Sequence, residues 1–219
     1  MRTILNKKIL SILYASSLIN IIADILLYFG NTLSNQGISS SSLQNSNLTL
    51  VQIGAILGLF TIPFWLLPVT HFSLIAVNKT HKTLITYSYV AFVIGALVYH
   101  LAYGYLGNAA HFAENERLHI ENEKLLLING SYNLISALVF SITIVMAKIK
   151  GALNFHWVNY FFLPFTSILF FQVLFNQLVK IPAPIGGYFT AINGTLVILL
   201  FFVSLNNYKI RNTNEIRNK

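Results

Sequence analysis

Long apolar runs separated by short polar stretches divide the chain into six segments, at about 9–29, 50–77, 84–106, 125–147, 157–179 and 187–205. Each reaches or approaches the roughly 20 apolar residues that cross about 30 Å of hydrocarbon as a helix. The pattern predicts an all-α, polytopic transmembrane bundle of six TM helices, with residues 1–219 forming one transmembrane domain. An even number of crossings puts both termini on one side. Arg2, Lys7 and Lys8 precede the first segment, Lys79 and Lys82 follow the second, Lys148 and Lys150 follow the fourth, and Lys209, Arg211, Arg217 and Lys219 end the chain. The intervening loops are different: 31–49 carries no charge, Glu114 to Lys124 holds four Glu against Arg117 and Lys124, and Lys180 to Gly186 has a single Lys. By the positive-inside rule both termini are cytoplasmic, and the expected location is the plasma membrane, as a multi-pass protein.

Composition narrows the class. The chain is 55% hydrophobic and 9% charged, against about 25% charged in soluble domains, and its mean hydropathy is +0.66. The excess of 14 Lys+Arg over 6 Asp+Glu sits in loops and tails, where it reads as a topology signal and not as a nucleic-acid surface. With no cysteine there is no disulfide, reactive thiol or Cys-ligated metal site. The basic N-terminus resembles a signal peptide, but Asp24 interrupts its apolar run and no small-x-small cleavage site follows, so it reads as a retained first helix.

The polar residues inside the apolar runs carry the candidate chemistry. No Asp, Glu, Lys or Arg occurs between Lys82 and Glu114, so His100 lies at membrane depth. His100, Tyr103, Gly104, Gly107 and His111 fall on one side of a helix, and that side is expected to face protein. Asp24, the sole Asp of the chain and the one formally charged residue inside an apolar segment, shares a face with Ser17, Asn20 and Tyr28. A charge at that depth costs about 2.5 to 3.5 kcal/mol on insertion scales and calls for compensation. Segment four adds Asn129, Tyr132, Asn133 and Ser136, segment five Gln172 and Asn176, and segment six Thr190 and Asn193. On the inferred topology these residues share one level, giving a polar pocket in the outer half of the bundle. The pocket candidates are Asp24, Tyr28, His100, Tyr103, Asn129, Asn133, Gln172, Asn176 and Asn193. Asp24 and His100 can act as an acid/base, proton-relay or metal pair, or serve as interhelical hydrogen-bond glue. They sit at matching depths and can meet if their helices are neighbours. His71 reads as structural, while His81, His119 and His156 sit at loop or interface positions. Neither cofactor nor bound metal is implied by this pattern.

Prolines and loops shape the rest. Pro63 and Pro68 are expected to break the second helix and Pro164 the fifth, with neighbours satisfying the freed carbonyls. The Ser/Asn-rich run 31–49 reads as flexible surface, and AENERLHIENEK as a short exposed helical turn capping helices three and four. Ile181 to Gly187, IPAPIGG, reads as a tight turn or a gate.

The motifs ADILLYFG (Ala23 to Gly30), PFWLLPV (Pro63 to Val69), YHLAYGYLG (Tyr99 to Gly107) and PAPIGGYFTAIN (Pro182 to Asn193) together resemble an uncharacterised family of bacterial integral membrane proteins, described only as a domain of unknown function. The matching positions are Asp24, His100, Pro184, Gly186, Gly187 and Asn193, and the resemblance implies no activity. A second resemblance is to the membrane hydrolases that include alkaline ceramidases, which hold zinc with three histidines beside an Asp and a Ser. The chain departs from them in having six expected spans, no HxxxH in its last helix, and only His100 and His111 near Asp24. The expected function is the binding, sensing or transport of a lipid or small molecule, with the lipid bilayer as partner and no nucleic acid. The alternative is a membrane-embedded, hydrolase-like lipid-modifying enzyme using Asp24/His100.

Overall fold

A computed structural model describes residues 6–31, 47–74, 76, 78–112, 116–151 and 163–166. The described residues are helical and contain no strand. Helix α1 spans Lys7–Asn31, α2 spans Leu48–Thr61 and continues as a 3-10 helix over Ile62–Leu74, α3 spans Lys79–Phe112, and α4 spans Glu116–Ile149. Four stretches, Lys7–Leu27, Leu48–Ser73, Lys79–Ala102 and Leu127–Ile149, are long and apolar enough to cross a membrane. They correspond to the first four expected segments. The fifth and sixth, apart from residues 163–166, lie outside the described residues, as do most of the 31–49 loop and the IPAPIGG motif.

Asparagine sets three of the starts. The side chain of Asn6 accepts the Ile9 N–H at 2.8 Å, that of Asn47 the Leu50 N–H at 3.3 Å, and that of Asn78 the His81 N–H at 2.8 Å. Each satisfies a backbone donor that a helix N-terminus leaves without a partner. Helix α4 stops at Gly151, whose φ of 74° is easy only for glycine and whose N–H bonds the Lys148 carbonyl.

Pro63 and Pro68 do not interrupt the second span; they change its winding. The 3-10 segment is 13 residues long, well beyond the usual 3 to 4. In that winding the Trp65 carbonyl would take the N–H of residue 68, and Pro68 has none. The Tyr89 hydroxyl of α3 donates to Trp65 O instead. The freed carbonyl is thus satisfied by a neighbouring helix, as spanning backbone requires.

From Glu116 onward the stretch expected to cap helices three and four is instead the first part of α4, which begins at Glu116, while α3 runs to Phe112. At 34 residues each, both would be about 51 Å long and project beyond the hydrocarbon.

Helix α2 lies between α1 and α3, and α4 packs on α3. At the end where α1 and α3 begin, the core is aromatic. Phe72 meets Tyr89 edge-on at 4.9 Å, Tyr89 lies 4.9 Å from Phe140, and Phe140 stacks on Phe92 at 6.0 Å, with Leu13, Ile62, Trp65 and Ile85 packed around them. In lipid such contacts stabilise through close packing, because hydrocarbon is as apolar as the side chains. His81, expected at a loop, is buried at this end with Nε2 3.4 Å from the Thr143 carbonyl. The α3 helix starts two residues earlier, at Lys79, and turns His81 inward.

Candidate functional site

At the other end, glycine lets the helices come together. A Cβ on Gly54 of α2 would lie 2.7 Å from the Ala23 carbonyl and 2.8 Å from the Leu27 nitrogen of α1, so two backbones touch there. A Cβ on Gly104 of α3 would lie 2.3 Å from the Ala55 Cβ of α2. One turn along α2 from Gly54, a Cβ on Gly58 would lie 1.8 Å from His100 Nε2. The imidazole therefore occupies the space that a side chain at Gly58 would fill. Gly54 and Gly58 form a small-xxx-small pattern, which permits this approach between membrane helices.

His100 reaches both neighbouring helices. Its Nδ1 is 2.9 Å from Asp24 Oδ1 on α1, and its Nε2 is 3.1 Å from the Gly54 carbonyl on α2. The carbonyl can only accept, so Nε2–H is the donor. The Asp24 carboxyl is also held from its own helix, where Asn20 Nδ2 donates to Oδ2 at 3.1 Å. Thr61 Oγ1 lies 3.3 Å from Asn20 Oδ1 and 2.8 Å from the Leu57 carbonyl. One hydroxyl proton serves one acceptor at a time, and the shorter contact favours Leu57. The His100 side chain is 5% exposed and that of Asp24 13%. Buried polar groups must be paired to be tolerated in an apolar layer, and this chain of contacts across three helices does that.

Asp24 and His100 sit near the same end of their spans, Asp24 close to Leu27 and His100 close to Ala102. The structure brings these two pocket candidates into direct contact. Asn129 and Asn133 belong to α4, which meets a different side of α3. A Cβ on Gly95 would lie 2.9 Å from Ser136 Oγ and 3.1 Å from Asn133 Cα, and Gly95 is about 140° around the helix from His100 at 100° per residue. Asn133 Oδ1 is buried there and has no hydrogen-bond partner among the described residues. The side chains of Tyr28 and Tyr103, and all of Gln172, Asn176 and Asn193, lie outside the described residues. Among the described residues no third His, Cys, Asp or Glu joins the pair in a metal-binding group.

Four contributors, Asn20, Gly54, Gly58 and Thr61, were not among the expected site residues. Asn20 was visible only as a residue on the Asp24 face. Gly54 and Gly58 had a legible signal in GAILG, a small-xxx-small spacing within an apolar run. Thr61 had none, since a threonine in a membrane helix commonly bonds its own backbone. Comparison with protein-family models, curated proteins and solved structures finds no match.

Proposed function

We propose that the chain is a six-span membrane protein with both termini cytoplasmic, whose outer half holds a polar locus centred on Asp24 and His100 that binds, senses or transports a lipid or small molecule. The observation that carries this reading is the buried contact of 2.9 Å between Asp24 and His100. A carboxyl inside a membrane helix is costly, and hydrogen-bond glue needs no carboxyl when an amide would serve. The glycines of α2 add support: Gly58 leaves room for an imidazole that a larger residue would expel. On the inferred topology the locus faces the extracytoplasmic leaflet, the level that the sequence pattern alone also assigns to Gln172, Asn176 and Asn193.

The lipid-modifying alternative has less support. A general base needs a ring nitrogen with a free lone pair directed at a water or hydroxyl, and here Nδ1 faces Asp24 while Nε2 faces Gly54.

Mass spectrometry of the protein purified in its native lipids tests the proposal. A lipid or small molecule retained by the wild type should be lost in Asp24→Asn and His100→Gln while Ile56→Leu, at an exposed apolar position, keeps it. Equal retention in all variants would contradict a functional pair.

A further inference from the structure

Lysines gather in one layer at the end where α1 and α3 begin. Helix α4 runs antiparallel to α3, with Tyr99 on Gly130, Gly95 on Ser136 and Ser88 Oγ 3.1 Å from Thr143 Oγ1. That register, continued along both helices, brings Lys148 and Lys150 level with Lys82 and Lys79. Helix α1 runs parallel to α3, with Asp24 on His100. Equal steps back along the two place Lys7 and Lys8 within about one turn of Lys82. All of these lysines are exposed except Lys148, which is half-buried.

Carboxylates do not balance this charge. Of the 6 Asp+Glu in the chain, Glu116, Glu121 and Glu123 lie in the first part of α4, at its opposite end, and Glu114 directly precedes them in sequence. Asp24 meets His100 near the other end of its span. That leaves Glu215, which can neutralise one of the lysines at most. Nor do the charges serve their own helices. Lys7, Lys8, Lys79 and Lys82 stand in the first turns of α1 and α3, which hold no acidic residue, and there the helix dipole disfavours a cation and favours an anion. Exposed apolar side chains border the layer. Leu84 and Tyr87 follow Lys82 along α3, with Tyr87 71% exposed, and Ile149, 77% exposed, stands between Lys148 and Lys150. A soluble anion would use the lysines alone, whereas a molecule anionic at one end and apolar at the other uses both.

We propose that this layer binds anionic phospholipids of the surrounding leaflet, the lysines taking the phosphate headgroups and Leu84, Tyr87 and Ile149 lying along the upper acyl chains. Lysine stems extend along apolar surface and carry their ammonium groups to headgroup level. Each such cation near a membrane surface strengthens the attraction to anionic lipid on the order of fivefold. On the inferred topology this leaflet is the cytoplasmic one. The surface lies at the end of the spans opposite the Asp24–His100 pair and stands whether or not that pair holds a ligand.

Phosphatidylglycerol, which is anionic, and phosphatidylcholine, which has no net charge, are the probes. Offered together at equal concentration to the purified full chain in micelles, they are counted in its native mass spectrum. The first lipid bound should be phosphatidylglycerol by at least about fivefold, the effect of one lysine. Lys79→Gln, Lys82→Gln, Lys148→Gln and Lys150→Gln combined should bring that ratio close to one, while Lys124→Gln, toward the other end of α4, should leave it unchanged. If the combined variant does not fold, the wild type in vesicles decides. Its preference for spin-labelled phosphatidylglycerol over spin-labelled phosphatidylcholine should shrink as salt rises from about 0.1 to about 1 M, which shortens the screening length from about 10 to about 3 Å. A wild type without preference, a preference that survives the four substitutions or the salt, or equally tight binding of the soluble headgroup glycerophosphoglycerol would overturn the proposal.

Discussion

Gly58 and His100 are complementary in shape: the imidazole Nε2 occupies a point 1.8 Å from where a Gly58 Cβ would stand. Adding that methyl must displace the ring, because the Gly58 backbone is fixed within α2. Gly58→Ala is therefore expected to destabilise the protein by about 1 to 3 kcal/mol, the range for overpacking. In a His100→Ala background, where the ring is gone, the same change should cost much less. Thermal unfolding of the four proteins in micelles checks this, and equal costs in both backgrounds would contradict the fit.

Asp24→Asn should be tolerated by the fold, because an amide can still donate to Nδ1 of a neutral ring that keeps its Nε2–H on Gly54. Asp24→Leu should not be, since it strands Nδ1 in an apolar site at a cost of about 1 to 3 kcal/mol for an unsatisfied group. Folded yield and thermal unfolding separate the two. Indistinguishable losses would mean that the carboxyl acts through charge alone.

Tyr89→Phe is expected to cost about 1 to 3 kcal/mol by leaving the Trp65 carbonyl without its donor. Pro68→Ala restores a backbone N–H at the position that would otherwise serve this carbonyl, so the cost of Tyr89→Phe should fall in that background. A double-mutant cycle measures the coupling. Strict additivity would show that the hydroxyl does not stand in for the missing N–H.

Topology is accessible to labelling because the chain has no cysteine of its own. A cysteine at Ser40 should react with an impermeant reagent from outside, and one at Asn78 only after the membrane is opened. The reverse pattern would invert the bundle and place the Asp24–His100 level near the cytoplasmic leaflet.

The four described spans were legible because apolar length is a strong signal, and the meeting of Asp24 with His100 followed from matching depth on helices running the same way. What the pattern concealed was the helix between them. The small-xxx-small spacing of Gly54 and Gly58 permits a close approach without saying to which helix, yet these glycines determine how near α2 comes to both partners. Pro68 signalled a break where the chain instead tightened into a 3-10 helix, because the rescue by Tyr89 is a tertiary contact that local sequence cannot show. His81 looked like a loop residue beside Lys79 and Lys82, but the Asn78 cap starts α3 early enough to bury it. Asn129 and Asn133 shared the expected depth, and depth says nothing about which side of α3 a neighbour occupies.

The central claim is that a carboxyl on α1 and an imidazole on α3 meet directly within the membrane. Dipolar recoupling between the Asp24 carboxyl carbon and the His100 ring nitrogens, in protein reconstituted into lipid bilayers, measures that contact. A strong coupling to Nδ1, matching the 2.9 Å separation from Asp24 Oδ1, with a weaker one to Nε2, is the expected result; folded protein with no coupling between this carboxyl and any histidine ring would contradict it.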